Sequence, residues 1–73
     1  MNKNLKLLNT LIELNVIDLK DYYVITIYEY KLNLQGHYKA ELLVDLIDKG
    51  FTIIENNGYT VATKENIEIT LTN

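Results

Sequence analysis

The segment FTIIENNGYTVATKENIEITL, residues 51–71, decides the fold, because three runs of β-branched and aromatic residues alternate in it with short polar segments. The runs predict strands over 51–55, 59–63 and 67–71. Each connecting segment has three residues and ends in Gly58 or Asn66, residue types that tolerate the left-handed backbone conformation of a tight hairpin loop. The sequence therefore predicts an antiparallel meander of three strands.

Three-residue loops also fix which residues lie opposite each other across the meander. In that register Val61 lies opposite both Ile53 and Ile69. One face then collects the residues Phe51, Ile53, Tyr59, Val61, Ile67, Ile69 and Leu71. The other face collects Thr52, Ile54, Thr60, Ala62, Glu68, Thr70 and Thr72. We expect helices to pack on the first face and the second to be a threonine-rich surface with little charge.

The segment before the meander has the spacing of an amphipathic helix. Its apolar stripe consists of Tyr38, Leu42, Leu43, Leu46 and Ile47. The tripeptide Gln35-Gly36-His37 is interpreted as a short turn that leads into this helix. Gly50 is expected to end the helix in the left-handed conformation, with Phe51 packed back on the last turn. The side away from the stripe carries Glu41, Asp45 and Asp48.

Residues 22–34 are interpreted as one long strand, since they are rich in β-branched and aromatic residues and contain neither Gly nor Pro. At about 3.3 Å per residue such a strand would reach roughly 43 Å, which exceeds the expected width of so small a protein. We therefore expect it to bend, to carry a bulge or to project from the body. Its second half alternates apolar and polar residues, which predicts that the first half is covered on both faces and the second on one.

Apolar residues between Leu5 and Leu14 recur at helical spacing and predict a first helix over residues 3–15, with Asn15 in the left-handed conformation at its end. The predicted order is α-β-α-β-β-β, an α+β two-layer sandwich of two helices on a four-stranded, mostly antiparallel sheet. The second helix can serve as a crossover, so we expect the long strand to pair in parallel with a neighbour. Residues 1–73 are expected to form a single α+β domain.

The composition argues against most catalytic chemistry. The chain contains no Cys, Ser or Arg, which removes serine and cysteine nucleophiles. Its three glycines stand far apart, so no phosphate-binding loop is present. His37 is the only histidine, which argues against a zinc site with paired histidines. It is then a solvated residue, a lone general base or a pH-sensitive contact. We expect no enzyme activity, no catalytic residue, no metal and no cofactor.

The charge and the residue usage indicate the setting of the protein. Seven lysines face ten acids, for a net charge of −3, which disfavours nucleic acid as a partner. Because the chain lacks cysteine, a signal-peptide core and a membrane span, we expect a soluble cytoplasmic protein. The exclusive use of lysine as the basic residue and the many Asn and Ile residues suggest an AT-rich genome, such as that of a low-GC bacterium or its phage.

Tyrosines and acids supply the candidate partner-binding site. Four of the six tyrosines lie within residues 22–34, and tyrosine is favoured at interfaces as well as in ordinary strands. The acids of the second helix form either a solvated ridge or a strip that imitates spaced phosphates. The predicted site consists of Tyr28, Tyr30, Gln35, His37, Tyr38, Glu41, Asp45 and Asp48.

These observations favour a small protein-binding module, an accessory or inhibitory protein from a phage or other mobile element. A homodimer is expected, since a projecting strand and a weakly charged threonine face both favour self-association. The alternative is a regulator that binds nucleic acid, or that imitates it to block a nucleic-acid-binding protein.

Overall fold

The structure, a computed structural model that describes residues 3–73, contains two helices on one face of a five-stranded mixed sheet. The helices are α1 (Lys3–Glu13) and α2 (Ala40–Asp48), and a short 3-10 helix covers Leu19–Asp21. The strands are β1 (Tyr22–Ile27), β2 (Leu32–His37), β3 (Thr52–Asn56), β4 (Tyr59–Lys64) and β5 (Ile67–Thr72). The α+β class is confirmed, whereas the prediction of four strands is wrong.

Residues 22–34 do not form one strand, because the chain reverses direction between Ile27 and Leu32. The N–H of Tyr28 donates a hydrogen bond to the carbonyl of Lys31, at 2.9 Å, and closes the turn. This turn has none of the Gly, Pro, Asn or Asp residues that usually mark a reversal. It is held from outside by Asn4, whose side-chain amide donates to the carbonyls of Tyr28, at 2.6 Å, and Glu29, at 3.2 Å.

The segment predicted as a turn before α2 is therefore the end of β2. Gln35, Gly36 and His37 pair with β5, and Gly36 and Gln35 also pair with β1. Only glycine fits at position 36, since a Cβ atom there would clash with the carbonyl oxygen of Asp21. The segment was misassigned because its glycine serves the close approach of two strands and not a reversal.

The hairpin also reverses the predicted burial. β2 is an interior strand on which Leu32 and Leu34 are fully buried, whereas β1 lies at the edge of the sheet. The prediction that the first half of residues 22–34 is the better covered half is wrong. The expected parallel pairing is confirmed for β2, which lies parallel to β5 with α2 in the connection.

The three strands of the meander are confirmed, but β4 is shifted by one residue relative to the predicted register. The connections have two residues each, so that Asn56 pairs with Tyr59 and Lys64 with Ile67. Gly58 takes the left-handed conformation at φ 90° as expected, whereas in the second loop Glu65 does so, at φ 55°, and not Asn66. Shorter loops shift the side-chain alternation of β4 by one residue.

As a result, four residues of β4 lie on the face opposite to the predicted one. Thr60 and Ala62 are buried beneath the helical layer, while Tyr59 and Val61 lie on the face away from it. The assignments for β3 and β5 hold, since Ile53 is half-buried against the core and Ile67, Ile69 and Leu71 are buried in it.

One hydrophobic cluster joins the helices to the sheet. Its buried members are Leu8, Leu11, Ile17, Leu32, Leu34, Leu42, Leu46, Phe51, Ala62, Ile67, Ile69 and Leu71. The left-handed conformations predicted after the two helices are confirmed, since Asn15 has φ 59° and Gly50 has φ 92°, although α1 itself ends at Glu13 and not at residue 15. After Gly50 the N–H of Phe51 donates to the carbonyl of Leu46, which packs the phenyl ring back on α2.

Asn4 is the buried polar residue that ties three parts of the fold together. Its amide reaches the β1–β2 turn, and its Oδ1 accepts a hydrogen bond of 2.6 Å from Asn66 in the β4–β5 turn. Asn4→Ala removes these partly buried hydrogen bonds and leaves a space at a buried position, so we expect the free energy of unfolding to fall by about 2 kcal/mol. Urea denaturation measures it. Asn9→Ala, at an exposed position of the same helix, should change it by less than about 0.5 kcal/mol, and equal effects would contradict the assigned role.

Gly36 offers a second test of the fold. Gly36→Ala forces the new methyl group against the Asp21 backbone and the Tyr22 ring, so β1 must move away from β2. We expect a loss of about 2 kcal/mol in the free energy of unfolding. The comparison is Thr26→Ala on β1, which removes atoms at a half-buried position without creating a clash and should cost clearly less. A Gly36→Ala protein as stable as wild type would contradict the requirement.

Candidate functional site

The face of the sheet opposite the helices is not covered by any element of residues 3–73. The register places its residues in three rows, each crossing the sheet in the order β1, β2, β5, β4, β3. The first row is Tyr23, His37, Thr72, Tyr59 and Asn56. The middle row is Val24, Gln35, Thr70, Val61 and Ile54. The third row is Thr26, Asn33, Glu68, Thr63 and Thr52. We call these fifteen positions the open face.

A β-bulge places Tyr23 on the open face. The register of β1 shifts between Tyr22 and Val24, so Tyr23 is an extra residue without a partner on β2. Its ring lies 5.0 Å from the ring of His37, at an angle of 45°. Its hydroxyl forms a hydrogen bond of 3.2 Å with Oγ1 of Thr72 on β5. The side chain thus spans β2 and is held in place while half its surface stays exposed.

The middle row carries most of the exposed aliphatic surface of this face. Ile54, at one edge of the sheet, is 52% exposed, and Val24 at the other edge is 41% exposed. Val61 is half-buried beside Ile54 because of the shifted register of β4. Gln35 and Thr70 supply polar groups between these apolar ends. The row therefore combines apolar contact area with a few hydrogen-bonding groups.

The third row is polar but nearly neutral. Nδ2 of the buried Asn33 donates a hydrogen bond of 2.9 Å to Oε1 of Glu68. Nζ of Lys31, in the β1–β2 turn, lies 3.8 Å from the same oxygen. Glu68 is the one charged residue among the fifteen positions, counting His37 as neutral. The lysine balances its charge, so the open face has almost no net charge.

The acids of the protein lie elsewhere. Nine of the ten are outside the open face: Glu13, Asp18, Asp21, Glu29, Glu41, Asp45, Asp48, Glu55 and Glu65. Asp45 is tied to Lys49, whose Nζ lies 2.8 Å from Oδ2 and also donates to the carbonyls of Asn15 and Val16. That lysine joins the end of α2 to the segment after α1, so Asp45 has a structural partner.

The structure divides the predicted site residues into three groups. Tyr28 and Tyr30 lie in the β1–β2 turn, where Lys31 stacks over the Tyr28 ring at 5.2 Å and Tyr30 is 83% exposed. Gln35 and His37 belong to the open face. The remaining four, Tyr38, Glu41, Asp45 and Asp48, lie just before or on α2. The turn and His37 are at opposite ends of β2, so the eight residues do not form one site.

The acids of α2 share their surroundings with lysines. Glu41 and Asp45 line a depression of about 370 Å³, open to solvent, together with Lys20, Asp21 and Lys39. Nζ of Lys39 lies 3.7 Å from a carboxylate oxygen of Asp21. This part of the surface is mixed in charge, and the exposed Asp48 and Glu41 are the α2 acids without an ion pair within 4 Å in residues 3–73.

Comparison of the chain with known proteins gives no information about the role of the open face. The chain matches no protein-family model, no curated protein and no solved structure. Within residues 3–73 no group of three or more His, Asp and Glu side chains is placed to hold a metal ion. No helix in the same range is long and apolar enough to cross a membrane.

Sequence reasoning missed Tyr23, Tyr59 and Val61 as surface residues of the open face. The signal for the last two was present, since Asn57-Gly58 is the dipeptide typical of a two-residue hairpin loop, and a two-residue loop shifts β4 by one. No comparable signal marks Tyr23, because the bulge that exposes it depends on how β1 pairs with β2. The Thr-rich character of this face was predicted correctly from β3 and β5.

Tyr22 provides a test of how the start of β1 is packed. Burial raises the pKa of its hydroxyl from 10.0 to about 12, and the negative charges of Asp21, Asp45 and Asp18 add to the effect. The hydroxyl of Tyr22 therefore loses its proton at a lower pH in the unfolded chain than in the folded protein. The stability that comes from keeping this hydroxyl neutral is complete below pH 10 and is lost as the pH rises towards 12.

We therefore expect the free energy of unfolding of wild type to fall more steeply between pH 10 and 12 than that of Tyr22→Phe. Urea denaturation across this range measures the difference, and ultraviolet absorbance should show one tyrosine ionising late. Tyr30→Phe, at the exposed turn, should behave as wild type. Parallel profiles for wild type and Tyr22→Phe would contradict the packing of Tyr22.

Proposed function

We propose that this chain is a small non-enzymatic protein-binding module and that the open face is its binding surface. The observation that carries the proposal is a five-stranded face that no element of residues 3–73 covers. It is nearly neutral in charge and carries two exposed tyrosines, of which Tyr23 is held by His37 and Thr72, together with exposed aliphatic residues. Protein interfaces are enriched in tyrosine and depleted of charge at their centres, which matches this composition. An accessory or inhibitory protein of a phage or other mobile element, acting in the cytoplasm, is part of the same proposal.

Two features of the open face favour a protein over a nucleic acid. Single-strand binding platforms combine stacked aromatic residues with positive charge that follows the phosphates. Lys31, the cation beside Glu68, is engaged with Glu68 and Tyr28, and no lysine occupies any of the fifteen positions. Tyr23 and Tyr59 lie on either side of Thr72, where their rings and hydroxyls suit a partner surface of mixed polarity.

Tyr30 lies in the β1–β2 turn, at the end of the sheet that carries the third row. Tyr30 is the most exposed of the large apolar and aromatic residues in residues 3–73. The turn that carries it is fixed by Asn4, so the ring is presented on a firm support. We assign it to the rim of the binding surface, where contacts contribute less than at the centre.

A second candidate function rests on α2. Glu41 and Asp48 are exposed there and could imitate phosphates towards a nucleic-acid-binding protein. The lysines beside Glu41 weaken this reading, because they reduce the negative potential of the surface. The two candidates use different surfaces and are separable by substitution.

The experiment is affinity capture from a lysate of the source cells, with protein immobilised at low density and the captured proteins quantified by mass spectrometry. Tyr23→Ala/Tyr59→Ala should reduce capture of the principal partner at least about tenfold, since central aromatic residues dominate binding energy. Tyr30→Ala, a matched loss of an aromatic ring at the rim, should reduce it much less. Circular dichroism checks that each variant is folded.

The variant Glu41→Lys/Asp48→Lys tests the second candidate, the acidic surface of α2, in the same capture experiment. Capture that survives the loss of Tyr23 and Tyr59 but is abolished by the charge reversal, and that added DNA competes away, would replace the proposal by the phosphate-mimic function. Capture unaffected by either pair of substitutions would contradict both candidates.

A further inference from the structure

The charge distribution makes the open face the surface on which two copies of this chain meet with least repulsion. Glu68 and Lys31 offset each other at its third row. The remaining nine acids and six lysines lie elsewhere, so the whole net charge of −3 belongs to the helical layer and the rims. Two copies that approach by those surfaces bring their negative charges close together, whereas two that approach by their open faces keep those charges further apart.

We propose that a second copy of this chain docks on the open face, sheet against sheet, around a two-fold axis that passes beside Thr70. The inference rests on the proposed function, because it names one protein that the same binding surface takes. Two sheets that pack face to face lie about 10 Å apart, and their facing side chains interdigitate. The fifteen positions contain no unbalanced charge that such packing would bury.

Thr70 is the centre of this arrangement. It lies in the middle row, on β5, which is the third of the five strands in the sheet. In a two-fold symmetric contact each residue at the axis faces its own copy. A centred two-fold axis in the plane of contact therefore brings Thr70 opposite Thr70 of the second copy, whether the axis runs along the strands or across them.

The area of the open face is sufficient for a weak dimer. Five strands about 4.8 Å apart and six residues long at about 3.3 Å each present roughly 480 Å² per copy, or about 1,000 Å² in total. This is close to the lower limit of about 1,000 Å² for a specific interface. Val24 and Ile54, exposed at the two edges, are the apolar residues that gain most from being covered. A dimer of this size exchanges with monomer, so the face remains available to another partner.

The test is a pair of opposite charges introduced at the centre. Analytical ultracentrifugation from low to high micromolar concentration should show wild type in a monomer–dimer equilibrium. Thr70→Lys should raise the dissociation constant at least about tenfold, because two like charges then face each other at the axis, and Thr70→Glu should do the same. An equimolar mixture of the two variants should regain dimer, since unlike charges now meet.

Val44→Lys is the matched control, because it adds the same charge at an exposed position of α2 in the helical layer. It should leave the dimer intact. A wild type that stays monomeric at high micromolar concentration, a dimer that survives both Thr70 substitutions, or folded Thr70 variants whose mixture stays monomeric would each overturn the inference. In the capture experiment the protein is immobilised at low density and is therefore monomeric. Failure of the dimer test thus leaves the binding of another protein to the open face undecided, and the two proposals can fail separately.

Discussion

Two short helices cannot cover both faces of a five-stranded sheet, and the rest of this structure follows from that limit. α1 has 11 residues and α2 has nine, so at about 1.5 Å per residue they are roughly 16 and 14 Å long. Laid side by side, each about 10 Å wide, they would cover roughly 300 Å², which is less than the roughly 480 Å² of a single sheet face. The large apolar residues of β2 and β5 all point to that face, where Leu34, Ile69 and Leu71 are completely buried. The opposite face is left to polar, aromatic and small aliphatic residues.

The elements predicted correctly are those whose signals are local. Helical spacing marks α1 and α2, and Gly50 ends α2 because a left-handed residue is needed there, which glycine adopts without steric cost. The reversal at residues 28–31 was missed because nothing in those four residues requires it. The interaction that fixes it comes from Asn4, 24 positions away from Tyr28. Asn4 is spaced four and seven residues from the buried Leu8 and Leu11, so helical periodicity places it on the buried stripe, but periodicity does not show which partners it meets.

The candidate site was only partly predictable for the same reason. The threonines of β3 and β5 indicated a weakly charged face, and the alternation along each strand was enough to find them. The aromatic part of that face depends on two events between strands, the bulge at Tyr23 and the short loop at Gly58. The tyrosines selected from the sequence, Tyr28 and Tyr30, lie in the β1–β2 turn away from His37, whereas Tyr23 and Tyr59 share the open face with it.

The contact between Asn4 and Asn66 has a consequence for the stability of the chain. The two side chains are 62 positions apart, and their hydrogen bond joins the first helix to the last turn while the same amide holds the first hairpin. The N-terminal half alone can form the bonds from Asn4 to the first turn, but it leaves Oδ1 of Asn4 without its partner Asn66. Loss of the β4–β5 turn therefore weakens the support of the β1–β2 turn as well. Two segments at opposite ends of the chain are thereby coupled in their stability.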